Sequence, residues 1–337
     1  MTATPRAVVT VLGAGSWGTA LAMLLARNGH TVRLWDRDSE HIHALNEQRV
    51  NQRYLPGISL PEGLDPVDDL PTALDANDYV LVVVPSAGFR DVLQKTRTQL
   101  GANFNLIWAS KGLEPGSGKF LHQVVDEELP EHNAIAAVSG PSFAKEVARG
   151  LPTAVTVASK NTEYATRVAK LLHCPRFRAY TCEDVIGVEL GGSIKNVLAI
   201  AAGISDGLSY GANARAALIT RGLAEIMRLG ACLGGQRDTF MGLAGVGDLV
   251  LTCTDDQSRN RRLGLALGRG VEREKAVAEI GQAIEGLHTA KELDALADRC
   301  GVEMPITRQV KRVLFDGEPP ASAVDALLAR DAKPEAL

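Results

Sequence analysis

Lys195 and Asn196 sit in the middle of DVIGVELGGSIKNVLAIAAG (residues 184–203), a segment otherwise almost wholly apolar or small. Lysine is rarely buried without a partner, and an amine held in such surroundings can carry a proton to or from a substrate oxygen. Gly191 and Gly192 precede it by three to four residues, on the same helical face. Glycine there costs helix stability and leaves room beside the amine for something else. The competing reading is a lysine that snorkels to water while the glycines serve helix packing. A second group lies in GVGDLVLTCTDDQSRNRR (residues 245–262). Asp248 and Thr252 share a helical face at their four-residue spacing. Ser258 is a good N-cap, which puts Arg259 and Asn260 in a first helical turn. Such a turn offers donors and a positive field to a phosphate, and Arg261 and Arg262 thicken the basic patch. A solvated basic surface fits the same spacing equally well.

The third group is a glycine turn in context. The β-branched run AVVTVL (7–12) leads into Gly13-Ala-Gly15-Ser16-Trp17-Gly18, and TALAMLLAR (19–27) follows as a helix. Strand, G-x-G-x-x-G and helix in that order form the dinucleotide fingerprint. Gly13 permits the tight turn, Gly15 lets backbone approach a pyrophosphate, and Gly18 lets helix and strand pack closely. A second strand, 31–35, ends in Asp36-Arg37. An acid at this point suits the ribose 2′-hydroxyl of NAD, and an arginine suits the 2′-phosphate of NADP. Both cofactors stay open, beside the reading of the pair as solvated surface.

These groups need elements to position them. Apolar runs at 79–84, 105–109, 134–138 and 153–157 alternate with helix-like stretches, which predicts a doubly wound α/β domain with a Rossmann-like parallel sheet. Residues 56–71, rich in proline, glycine and acids, read as irregular loop. From about residue 184 long helical patterns dominate, with no convincing strand. We therefore expect a dinucleotide-binding domain at 1–185, an all-α substrate-binding and catalytic domain at 186–330 and a tail at 331–337. Three expected strands run into Pro85-Ser86, Ser110-Lys111-Gly112 and Ser139-Gly140-Pro141-Ser142. Ligands bind at the carboxyl ends of strands in such sheets, although any one such loop is ordinary turn chemistry.

Composition narrows the class. A length of 337 residues suggests two domains. Hydrophobic content of 45% and charged content of 23% are ordinary for a globular chain. A net charge of −4 argues against nonspecific nucleic-acid binding. No uninterrupted apolar run reads as a bilayer span, and residues 1–6 carry no secretory segment. Five cysteines without C-x-x-C spacing indicate neither a zinc site nor a disulfide frame. A cytoplasmic protein with reduced thiols and no metal is expected.

Taken together, GAGSWGTALA, VVVPS, ASKGLE, SGPSFAKE, LGGSIKNVLAI, GANARAALITRGLAE, GLAGVGDLVLTCT and QSRNRRLG resemble the bacterial NAD(P)-dependent glycerol-3-phosphate dehydrogenases. The resemblance runs from the first strand to about residue 315. It implies that Ser16, Trp17 and Arg37 contact NAD or NADP, with Ala144, Arg259, Ala283 and Glu285 completing the site. Pro85 and Lys111 are counted with them. Lys111, Gly140, Ser142, Asp248, Ser258, Arg259 and Asn260 would contact substrate. Lys195 matches the proton acceptor, with Asn196 and Thr252 beside the reacting end. The implied reaction is reversible hydride transfer between NAD(P)H and dihydroxyacetone phosphate, giving sn-glycerol 3-phosphate for glycerophospholipid synthesis. The expected partner is a small phosphorylated ketone or alcohol, and a homodimer is left open. Rival readings are an NAD(P)-sensing module without turnover and a dehydrogenase for another acid or phosphate. Burial and Lys111 would lower the Lys195 pKa from its usual ~10.4 while Asp248 opposes them, so the net direction stays open.

Overall fold

Short runs of valine, leucine and isoleucine form the inner strands of an eight-stranded sheet. The eight strands, edges included, are β1 (Val8–Leu12), β2 (Thr31–Trp35), β3 (Leu64–Val67), β4 (Tyr79–Val82), β5 (Asn105–Trp108), β6 (Ala134–Ser139), β7 (Thr153–Ala158) and β8 (Phe177–Cys182). The computed structural model describes residues 6–100, 104–130 and 134–331; most of the segment 1–6 and of the tail 331–337 lies outside them. Strand order is β3-β2-β1-β4-β5-β6-β7-β8. β1 pairs in parallel with both β2 and β4, so the order reverses between β1 and β4, where a doubly wound sheet opens a crevice at its strand ends.

Three features depart from the sequence reading. Residues 56–71 hold β3, with Leu64 and Pro66 facing inward and Asp65 exposed. Proline is tolerated there because β3 is an edge strand, where a missing N–H costs no ladder bond. At the other edge lies β8, which buries only Phe177 fully and so carries little hydrophobic signal. Finally, β7 runs antiparallel to β6, and the sheet is mostly rather than wholly parallel.

The chain divides into one unit of Met1–Ser110 with Leu121–Val185 and another of Lys111–Phe120 with Ile186–Leu337. The segment 111–120, expected within the first domain, thus belongs to the second unit, where Leu113 and Phe120 are buried in its core. That core is built around the helix Val185–Gly207. By length and composition this helix could cross a bilayer, contrary to the sequence reading, yet 94% of its most apolar window is buried inside the protein. It is the central helix of the second unit's core.

Beside it lies the helix Arg259–Gly268, in backbone contact. A Cβ added at Gly203 would lie 2.2 Å from the Arg261 carbonyl oxygen, and one at Gly264 would lie 2.1 Å from that of Ile200. Gly207 and Gly268 meet in the same way one turn further on. Residue numbers rise together along the contact, so the two helices run parallel. Only glycine permits so close a crossing. Gly203→Ala is expected to destabilise the second unit by about 1–3 kcal/mol through overpacking, despite the ~1 kcal/mol that alanine gains in a helix. Urea unfolding followed by circular dichroism reads this; an unchanged midpoint would mean that the helices tolerate separation.

Candidate active site

The parallel pair sets the register of the chemistry-bearing residues in the second unit. Asn260, in the first turn of its helix, donates from Nδ2 to Asn196 Oδ1 at 2.9 Å. Asn260 Oδ1 in turn accepts the Gly286 N–H at 2.9 Å. The positive end of the helix Arg259–Gly268 therefore begins level with Asn196, next in sequence to Lys195. Ser258 caps that end, its Oγ accepting the Arg261 N–H at 3.2 Å. Glu285, at the start of the helix Glu285–Cys300, supports the Arg259 guanidinium electrostatically, while burial and Arg262 pull its pKa down. Arginine stays charged throughout.

Lys195 does not snorkel. It is 8% exposed, and its Nζ donates to Asp248 Oδ1 at 2.6 Å. Lys111 Nζ donates to the other carboxylate oxygen, Oδ2, at 2.8 Å. Asp248 itself is 1% exposed. Burial alone would push this carboxyl up, but Lys111 and Lys195 together hold it below its ordinary range. Burial pulls the Lys195 ammonium down to about 8, with Asp248 opposing that shift and Lys111 adding to it. The direction left open in the sequence is downward. Thr252, one turn after Asp248, donates to the Asp248 carbonyl at 2.6 Å and lies 3.4 Å from Oδ1.

The structure reassigns two glycine and arginine features. A Cβ at Gly191 would lie 2.4 Å from the Ala244 carbonyl oxygen, so this glycine seats the Lys195 helix against the irregular turn Leu243–Gly247 that precedes Asp248. Its role is helix packing, not room for a ligand. Arg261 is turned inward, onto Asp206 and Asp256, and so leaves the basic patch. Among the described residues, no group of three His, Cys, Asp or Glu side chains is arranged to hold a metal.

In the first unit Gly13 (φ +114) packs its missing Cβ position 2.6 Å from the Val83 carbonyl, and Gly18 approaches Gly13 O to 1.8 Å in the same sense. Gly15 differs: nothing lies within 4 Å of the Cβ it lacks. It caps the helix Ser16–Arg27, which has no side-chain cap and no acid in its first turn. Trp17 Nε1 is buried with no hydrogen-bond partner among the described residues. An open approach, unmet N–H groups and a spare donor fit a pyrophosphate. Asp36 accepts the Ala14 N–H at 2.8 Å through Oδ2 and the Asp38 N–H at 3.1 Å through Oδ1. Its carboxylate therefore also braces the turn. Arg37 is exposed, and no described residue bonds to it.

Two residues that the sequence reading did not single out hold the same turn. Asn51 Nδ2 donates to the Ala14 carbonyl at 2.9 Å and to Thr19 Oγ1 at 2.8 Å, and His41 Nε2 lies 3.2 Å from that carbonyl. Both are remote in sequence, and no local pattern marks them. Also in this unit, Pro85 opens the turn Ser86–Gly88, and Ser142 Oγ donates to the Gly140 carbonyl at 3.0 Å. Gly140 takes φ +145. Ala144 begins the helix Ala144–Ala148. Ala283, in the second unit, is exposed just before Glu285.

A turn shaped for a dinucleotide in one unit, with an ammonium group held buried on a carboxylate in the other, equips a nicotinamide-dependent oxidoreductase. Residues 8–165 match the family model described as NAD-dependent glycerol-3-phosphate dehydrogenase N-terminus, and residues 184–325 match its C-terminal counterpart. The chain belongs to this family. It is 61% identical over 327 residues to the "Glycerol-3-phosphate dehydrogenase [NAD(P)+]" of Thioalkalivibrio sulfidiphilus, covering 97% of this chain and 98% of that protein. The crystal structure of glycerol-3-phosphate dehydrogenase from Coxiella burnetii is similar at TM-score 0.94 and 50% identity, over 96% of this chain and 99% of that one. The yeast enzyme's structure is similar at TM-score 0.80 and 28% identity, over 95% and 99% of the two chains.

Arg37→Ala is expected to weaken NADPH by about 10- to 100-fold while sparing NADH, since a charge-assisted hydrogen bond is worth ~1.5–3 kcal/mol. Asp36→Ala is expected to weaken both, because it frees the Ala14 amide. Fluorescence titration with each cofactor checks the pair; equal losses in Arg37→Ala would leave that side chain without a role in selectivity.

Proposed function

We propose that this chain catalyses reversible hydride transfer between NAD(P)H and dihydroxyacetone phosphate, giving sn-glycerol 3-phosphate for glycerophospholipid synthesis, with Lys195 as general acid and base. The observation that carries this reading is the Lys195 ammonium, buried on Asp248 in a chain that matches the dehydrogenase family in both halves. NAD(P)H, when bound, supplies the hydride to the carbonyl carbon.

The chain's own groups handle the proton and the charge. Lys195 spends one of its three N–H donors on Asp248, and the others are left to meet the ketone oxygen as it becomes an alkoxide. A pKa of about 8 keeps the group mostly protonated near neutrality, ready to donate. The same value lets the amine exist in the oxidative direction, where it takes the proton back. Asp248 orients the amine and keeps it from falling further in pKa. Lys111 holds the second carboxylate oxygen and adds positive charge for an anionic substrate. Arg259, with the N–H groups of its helix start, is assigned to the phosphate. Gly13, Gly15, Ser16, Trp17, Gly18 and Arg37 are assigned to the nucleotide. The same reading includes a cytoplasmic enzyme; light scattering would decide whether it forms a homodimer.

Reduction of dihydroxyacetone phosphate is expected to fall above about pH 8, as the Lys195 ammonium is lost. Lys111→Met should move that limb to higher pH, because Lys111 lowers the Lys195 pKa. Lys195→Met should cut turnover by ~100-fold or more with cofactor affinity nearly intact. Spectrophotometric NAD(P)H oxidation across pH, with a short panel of ketones, measures all of these. Near wild-type turnover in Lys195→Met would remove this lysine from the mechanism, and equal rates on phosphorylated and free ketones would remove the substrate.

A further inference from the structure

Arg261 makes more connections between the catalytic elements than any role in a surface patch would need. Its side chain is 9% exposed. Nη1 donates to Asp206 Oδ2 and, at 3.2 Å, to the Cys253 carbonyl. Nε donates to Asp256 Oδ1 at 2.9 Å. Asp206 lies in the last turn of the Lys195 helix, Cys253 near the end of the Asp248 helix (Asp248–Thr254), and Asp256 in the loop between that helix and Ser258. Arg215, from the helix Gly211–Leu233, shares Asp206 at 2.7 Å. Meanwhile the backbone N–H of Arg261 is the donor that Ser258 caps.

We propose that Arg261 is a positioning residue for the reaction: it fixes the Ser258–Arg259–Asn260 turn against the Lys195 and Asp248 helices without touching substrate or cofactor. The planar guanidinium fork suits this task, since it holds several acceptors in fixed directions, which a single ammonium cannot reproduce. Its contacts to Asp206 and Cys253 reach the far ends of the two helices that carry Lys195 and Asp248. The glycine contacts keep the Lys195 helix and the Arg259–Gly268 helix close, and Arg261 stops the latter's first turn from swinging about that contact. Asn260, held by Asn196 and Gly286, is the second fixed point of that turn.

This inference rests on the reading that the substrate phosphate binds at the Ser258–Asn260 turn. The test uses the full-length protein and compares Arg261→Lys, Arg261→Gln, Asp256→Asn and Arg259→Ala, with thermal melts alongside kinetics. Arg261→Lys is expected to raise KM for dihydroxyacetone phosphate about 10- to 100-fold, in line with the loss of charged hydrogen bonds, with kcat within about threefold. Inhibition by inorganic phosphate should weaken in parallel, and kcat/KM for unphosphorylated dihydroxyacetone should hold. Asp256→Asn removes an arm on the solvent side, Asp256 being 70% exposed, and should shift KM in the same direction but less. It keeps the test sound if Arg261→Gln fails to fold. Equal losses on both ketones, or a fall in kcat with KM unchanged, would make Arg261 a stability residue only and overturn the proposal. If Arg259→Ala leaves the preference for the phosphorylated ketone intact, the phosphate site lies elsewhere, and the underlying reading fails together with this one. Loss of preference in Arg259→Ala with no effect of Arg261→Lys sinks this inference alone.

Discussion

One buried carboxylate shared between two ammonium groups organises the second unit. Asp248 sits on a short helix behind an irregular glycine turn, Lys195 on the central helix and Lys111 on the segment 111–120. None of the three charges is cheap to bury alone. Removing one partner from such a group typically costs about 3–5 kcal/mol, because a charge is left uncompensated. Folding the second unit and assembling its chemistry are thus the same event. The arithmetic of the group also leaves one positive charge in excess, which suits the phosphate and developing alkoxide of the proposed reaction.

Within each unit, residues assigned to ligands stand beside residues that hold them still. In the first unit Asp36 holds the Ala14 N–H while Asn51 and His41 hold the Ala14 carbonyl, so the glycine turn is fixed before a nucleotide arrives. In the second, Asn260 links Asn196 to Gly286, and the glycines of the parallel helices fix their spacing. Preorganised donors cost little reorganisation when charge develops.

Much of this was legible in the residues. The strand–turn–helix at 7–27 and the apolar inner strands carry their signal locally, because burial on both faces demands continuous apolar runs. A lysine inside an apolar segment likewise announces a buried partner, though its identity as Asp248 depends on tertiary proximity. The edge strands β3 and β8 escaped notice because edges bury little. The antiparallel turn of β7 escaped because strand direction leaves no local trace. The choice between packing and ligand space at Gly191, and the inward turn of Arg261, are not decided in the sequence for a common reason: spacing shows which face a residue occupies, but not what lies opposite. The segment 111–120 joins the second unit through Leu113 and Phe120, too few apolar residues to declare an allegiance.

The central helix has a consequence for biosynthesis. Val185–Gly207 has the length and hydropathy of a membrane span, and it leaves the ribosome before the helices that will cover it. Until they arrive, the nascent chain displays a stretch that insertion machinery is built to recognise. Lys195 stands near its midpoint, and a lysine at the centre of a candidate span raises the cost of insertion by about 2.5–3.5 kcal/mol. The ammonium group assigned to proton transfer is thus also, together with Glu189 on the same helix, a charge that disfavours a lipid environment and favours a protein core.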